Sequence, residues 1–132
     1  MPSASRFYGR QEKNMPPRDA YRLAHMLEYA REAIGIAESR QRADLETNRL
    51  LELALLRLLE TLGEAASKVS PEMRALHPQI PWSQVISLRN RLIHGYDSVD
   101  HQILWQIIKS DLPVLAEQLA SLLSSLDETA EN

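Results

Sequence analysis

The chain of 132 residues has no cysteine. That excludes a disulfide framework and a thiolate metal site, and its four histidines, His25, His77, His94 and His101, show no HExxH or other tight ligand spacing. No metal and no cofactor is expected. Long apolar runs are missing as well: no stretch approaches the roughly 18 residues of a membrane helix, and Met1 to Gln11 has no apolar signal-peptide core. The expectation is a cytoplasmic protein that does not engage a membrane. Aromatic residues are few, namely Phe7, Trp82, Trp105 and four tyrosines, so the core must come from Leu, Ile, Ala, Val and Met. That favours packed helices. A strong charge of one sign is absent too. A net charge of -3 does not suit a broad basic face that coats nucleic acid, so any such contact must be local.

What is present is helical periodicity. With 44% hydrophobic and 25% charged residues the composition is globular, and the length fits one domain. Leu23, Met26, Leu27, Ala30, Ile34 and Ala37 step by three and four, which predicts an amphipathic helix from about Pro17 to Gln41. A second helix should begin at Asp44 as N-cap and run through Leu51, Leu55, Leu58, Leu62 and Val69 to Ser70-Pro71. Its leucines also occupy positions 50, 53, 56 and 59, so its apolar surface wraps beyond one stripe. Such a helix is either central in a bundle or covered by a second subunit. Ser70 with Pro71 and Glu72 should open a short helix ending by His77-Pro78. Ile80-Pro81-Trp82 should start another, with Val85, Leu88 and Leu92 inward and Gly95 as terminator. Asp97-Ser98 should cap the next, burying Val99, Ile103, Leu104, Ile107 and Ile108, before Pro113 breaks or kinks the chain. A last helix carries Val114 to Leu126. The fold class is all-α, an up-and-down bundle of four long helices plus a short one. Residues 1–17 form a flexible tail, 18–126 the domain, and 127–132 a frayed end.

Chemistry concentrates in Arg89-Asn90-Arg91-Leu92-Ile93-His94-Gly95-Tyr96. From Met73 to Tyr96 there is no Asp or Glu, while Arg74, His77, Arg89, Arg91 and His94 all fall in that stretch. Guanidinium forks match phosphate oxygens, and imidazole, with an ordinary pKa of about 6.5, exchanges protons near neutrality. The segment suits a phosphodiester. In one continuous helix Asn90 and His94 are a turn apart, so the amide can orient the imidazole. Arg89 and His94 are about 140° apart around the axis and cannot both aim at one atom. Either the helix end near Gly95 reorients His94, or a twofold axis brings Arg89 of one subunit to His94 of another. Glu64 could buttress Arg89 from the neighbouring helix. Tyr96, Trp82 and Trp105 have the simpler reading of packing residues, and His77 and His101 of turn and cap residues.

At this segment the chain resembles the HEPN superfamily, and more closely its HepT-like toxins. Arg, four to six residues, then His is the superfamily signature, met here by Arg89 and His94; Tyr96 stands two positions after the His, as in the HepT-like branch. The resemblance extends through Arg57 to Ala66, Ile80-Pro81-Trp82, Asp100 with Ile103-Leu104-Trp105, and Asp111-Leu112-Pro113. It implies a dimeric helical bundle acting as a metal-independent endoribonuclease, the toxin of a type VII-like toxin and antitoxin pair. Arg89 and His94 would be the catalytic pair and Asn90 their support. The implied partner is a small nucleotidyltransferase antitoxin, itself needing magnesium and ATP, that adenylylates Tyr96. A different class of function fits the same residues: a non-catalytic module that docks a nucleotidyltransferase and grips a nucleotide phosphate.

Overall fold

A computed structural model describes residues 17–94 and 98–131. Helix α1 (Pro17–Ala37) is followed by a single turn α2 (Asp44–Thr47), the long α3 (Arg49–Ser67), and three short helices, α4 (Pro71–Leu76), α5 (Trp82–Ile86) and α6 (Leu88–Leu92). Strands β1 (Ile93–His94) and β2 (Ser98–Val99) come next. Then α7 (His101–Gln106), a five-residue π turn (Ile107–Asp111) and α8 (Leu112–Glu131) run on as one rod. The class is all-α, as the patterning implies, and is consistent with the HEPN-like bundle that the resemblance implies.

The core follows the three-and-four spacing. Leu23, Met26, Ala30 and Ala33 of α1 are fully buried, against Leu55, Leu59 and Leu62 of α3 and Leu112, Leu115 and Leu119 of α8. Helix α1 packs along both α3 and α8, so these three rods frame the bundle. Lys109, whose ammonium lies 5.2 Å from the Trp105 ring centroid, donates to Ala37 O at 3.3 Å and so caps the last turn of α1. That helix therefore stops at Ala37 rather than Gln41.

Several element ends differ from the sequence expectation, each for a local polar reason. The second helix is interrupted at Asn48, whose Oδ1 accepts the Leu51 N–H at 3.1 Å and whose φ of -122° is extended. Asn48, not Asp44, is the cap of α3; Asp44 instead accepts the Gln41 N–H at 2.8 Å ahead of its single turn. Ser70 is the cap expected, accepting the Met73 N–H at 3.1 Å with Pro71 at the first helical position. It is itself held by the buried Asp19, which accepts the Ser70 N–H at 2.8 Å and hydroxyl at 2.7 Å.

The helix expected from Trp82 to Gly95 is two helices. At Ser87 the hydroxyl donates back to Ser83 O at 2.8 Å, and the backbone leaves helical geometry (φ -97°, ψ 17°). Helix α6 then ends at Leu92, because Ile93 is extended (φ -106°, ψ 121°) and pairs antiparallel with Val99, His94 facing Ser98. These two-residue strands are a departure from the strand-free expectation. Helix α7 is capped by Asp100, whose Oδ1 accepts the Ile103 N–H at 3.0 Å, and Ser98 lies in β2 instead; Asp97 is outside the described residues. Pro113 does not break the rod. It lacks a donor and its ring would strike the carbonyl four residues back, and the wider π turn just before it accommodates both, with Leu112 N–H reaching Ile107 O five residues back. At the C-terminus α8 runs on to Glu131, past Leu126.

The motif-bearing segment lies directly on α3. A Cβ built on Gly63 would sit 2.8 Å from Val85 O and 3.3 Å from Ile86 O, so only glycine permits this approach. Gly35 has open space around it and only weakens its helix. Gly63→Ala should lower stability by about 1–3 kcal/mol through the forced shift. Gly35→Ala should raise it by roughly 0.5 kcal/mol. Urea unfolding midpoints of the two variants check both signs.

The hairpin is anchored on its far side by a buried carboxylate. Glu52, 7% exposed, accepts from Arg49 Nη1 at 2.9 Å and bonds His101 Nε2, joining the first turn of α3 to the first residue of α7. His101 is thus a tether rather than only a cap residue. His101→Ala strips a buried acceptor of one partner and should cost about 1–3 kcal/mol. Arg42→Ala, breaking an exposed pair with Glu46, should cost under about 0.5 kcal/mol. Chemical denaturation of both variants at neutral pH tests the ordering.

Candidate active site

Helix α3 presents Arg57, Glu60, Gly63, Glu64 and Ser67 along one edge, and the segment seated on Gly63 brings Ile86 and Arg89 against it. Together they line an open cleft of about 450 Å³. Arg89 Nε donates to Glu60 Oε2 at 2.8 Å. The Arg89 side chain is 68% exposed and that of Glu60 26%, so the carboxylate is the seated partner and the guanidinium faces solvent. The ion pair uses the single N–H on Nε of the five N–H donors, and the terminal nitrogens of Arg89 bond no other described residue. Such a fork, fixed at its neck and open at its tip, is suited to two oxygens of one phosphate.

Glu60 is the residue that sequence reasoning missed. The carboxylate one turn later, Glu64, lines the same cleft, but Glu60 is the one that reaches Arg89. Both stand in the Arg57–Ala66 block, and spacing alone gives no way to rank two carboxylates on one helix edge.

Arg89 and Asn90 are adjacent and exposed on α6. The expected one-turn relation of Asn90 to His94 does not exist, because the helix ends at Leu92 and His94 belongs to β1. The helical-wheel objection to pairing Arg89 with His94 falls with it. Backbone bonds hold this arm in place: the Ile93–Val99 and His94–Ser98 register, and Asp100 N–H donating to Leu92 O at 2.9 Å. The His94 side chain and Gly95, Tyr96 and Asp97 lie outside the described residues. Trp82 is a core residue, as expected, its indole N–H donating to His77 O at 2.9 Å, and His77 is a turn residue closing α4. Among the described residues no three His, Asp or Glu side chains gather as a metal ligand set, and no helix is long and apolar enough to cross a membrane.

Comparison with known proteins points to one family. Residues 26–122 match the family described as Ribonuclease HepT-like. A protein of Thermococcus cleftensis named "Probable ribonuclease HepT" is 35% identical over 100 residues, covering 73% of this chain and 91% of that one. A protein of Methanocaldococcus jannaschii, provisionally named an RNase, is 32% identical over 97 residues, 74% of this chain and 89% of its own. Another so named, from Caldanaerobacter subterraneus subsp. tengcongensis, is 31% identical over 101 residues, 76% and 90% of the two chains. No solved structure matches the chain significantly. The matched span contains α3, α5 and α6, which together line the cleft, and the hairpin beyond them, and the chain belongs to the HepT-like ribonuclease family.

Proposed function

We propose that this protein is a metal-independent endoribonuclease, the toxin half of a HEPN and nucleotidyltransferase pair, with Arg89 and His94 as its catalytic residues and Asn90 as their support. The observation that carries the reading is Arg89, steered by Glu60 through one nitrogen, its free fork five residues before a His on a hairpin arm. Family membership supports RNA as substrate.

In the reaction a ribose 2′-hydroxyl gives up its proton, its oxygen attacks the adjacent phosphorus, and the bond from phosphorus to the 5′-oxygen breaks. That leaving oxygen takes up a proton, and the products are a 2′,3′-cyclic phosphate and a 5′-hydroxyl. His94 serves as base on the 2′-hydroxyl or acid on the leaving oxygen. Arg89 offsets the charge that grows on the phosphoryl oxygens, a contribution of about 3–4 kcal/mol when preorganised. The attacking group is supplied by the substrate, so the route needs no metal-activated water.

A homodimer would complete the site by placing two such motifs in one cleft. Leu50 and Leu53, 79% and 44% exposed on the outer face of α3, support that arrangement, since they continue the leucine surface toward Arg57 beside Arg89. Silencing would come from a nucleotidyltransferase partner. The Tyr96 phenol oxygen attacks the α-phosphorus of ATP, pyrophosphate leaves, and the bound adenylyl phosphate places a bulky anion beside the cationic motif, obstructing RNA.

Incubation with total cellular RNA in EDTA, followed by end sequencing, tests the reaction. Wild-type protein should leave 2′,3′-cyclic ends, and His94→Ala should lower cleavage by at least about 100-fold while keeping its unfolding midpoint. RNA or nucleotide bound without turnover by wild type would favour the non-catalytic binding module instead. For the silencing step, incubation with the partner nucleotidyltransferase, magnesium and ATP should add adenylyl mass to the intact protein. No such gain should occur in Tyr96→Phe.

A further inference from the structure

One cation stands apart from the cleft just described. Arg74, in the last turn of α4, buries its Nε, and that N–H meets no acceptor among the described residues. It lines a second open cleft of about 690 Å³ between α4, the turn at 78–81 and α5, walled by Pro71, Ile80, Trp82, Ser83 and Ile86. No Asp or Glu is among the lining residues, so Arg74 contributes the sole formal charge there. It makes no ion pair with a described carboxylate. A half-buried guanidinium in a largely apolar wall, with no described counter-ion, is a site that favours an anion.

Its position relates it to Arg89. Ile86 borders both clefts. Ser67, at the end of α3, lines the Arg89 cleft, and Pro71, opening α4 four residues on, lines the other. The two clefts therefore share the Ile86 wall, with Arg89 lining one and Arg74 the other. Trp82 offers no exposed face for base stacking, being 8% exposed with its N–H already committed to His77 O. The contact that the second cleft can make at Arg74 is to a strand's backbone rather than to its bases.

We propose that Arg74 grips a phosphodiester of the RNA strand flanking the cut site, as a substrate-binding subsite that holds the strand in register over Arg89. The inference rests on the ribonuclease reading of that site. It gives a role to a cation that has no described counter-ion in an acid-free segment, and it makes Arg74 a binding residue that leaves the chemical step to Arg89 and His94.

The test uses the full chain carrying His94→Ala, so that RNA is bound and not cut, with a short fluorescein-labelled single-stranded oligoribonucleotide read by anisotropy across a potassium chloride series. On that background Arg74→Gln should weaken binding about tenfold at low salt. The slope of log affinity against log salt should shrink by about 0.7, the share of one phosphate contact on a single strand. Arg74→Lys should recover most of that slope, and Arg31→Gln, exposed on α1, should change neither quantity. In the cleaving protein Arg74→Gln should raise KM with kcat unchanged. An unaltered slope and affinity would overturn the subsite while leaving the ribonuclease reading intact. A lowered unfolding midpoint with an unaltered slope would assign Arg74 to the stability of α4 and overturn it equally. Absence of RNA binding by the His94→Ala parent itself would remove the reading beneath it.

Discussion

The site depends on a contact between backbones. Where α5 meets α3, the missing side chain of Gly63 lets the carbonyls of Val85 and Ile86 settle onto the helix surface. Everything that follows in the chain inherits that depth. Arg89, three residues beyond Ile86, is brought within hydrogen-bond distance of Glu60, one turn before Gly63, and Ile86 becomes the wall shared by two clefts. The excluded volume of one methyl group thereby governs the placement of a charged fork. Such control is stiff, because packed interiors transmit displacement rather than absorb it.

Polar tethers then pin the frame at its ends. Asp19 reaches across to Ser70, fixing the start of α1 to the start of α4. Glu52 joins Arg49 and His101, fixing the start of α3 to the start of α7. Each joins segments about fifty residues apart in sequence, and each buried carboxylate has its acceptor oxygens occupied. The hairpin is attached on one side to α6, which rests on α3, and on the other to the His101 tether. Glu60 differs in kind. Its partner is exposed, so its value lies in direction rather than in stability.

The sequence made the helical class, the core faces of α1, α3 and α8, and the Ser70 cap legible, because each is written in periodicity or in a local capping pattern. It also made the acid-free segment stand out by composition, while the pairing of Arg89 with His94 came from the family resemblance. What it could not convey were events decided by side chains bonding their own backbone. Asn48, Ser87 and Asp100 each redirect the chain at a place where apolar spacing continues undisturbed. The hairpin was hidden for a related reason, since two residues per strand are too few to alternate. Glu60 was hidden differently: which carboxylate on a helix edge meets Arg89 is set by the height at which α5 crosses α3, and that height is set by Gly63.

The break after Leu92 bears on how such a motif tolerates insertions and deletions. Within a continuous helix every added residue would swing the His by 100° about the axis, and only certain separations from the Arg would keep both on one side. Here the His follows a helix terminus, on an extended arm whose course is fixed by pairing with β2. An extra residue between helix and strand would lengthen a connection without rotating the arm. Length variation between helix and strand would therefore leave the phase of the bundle undisturbed.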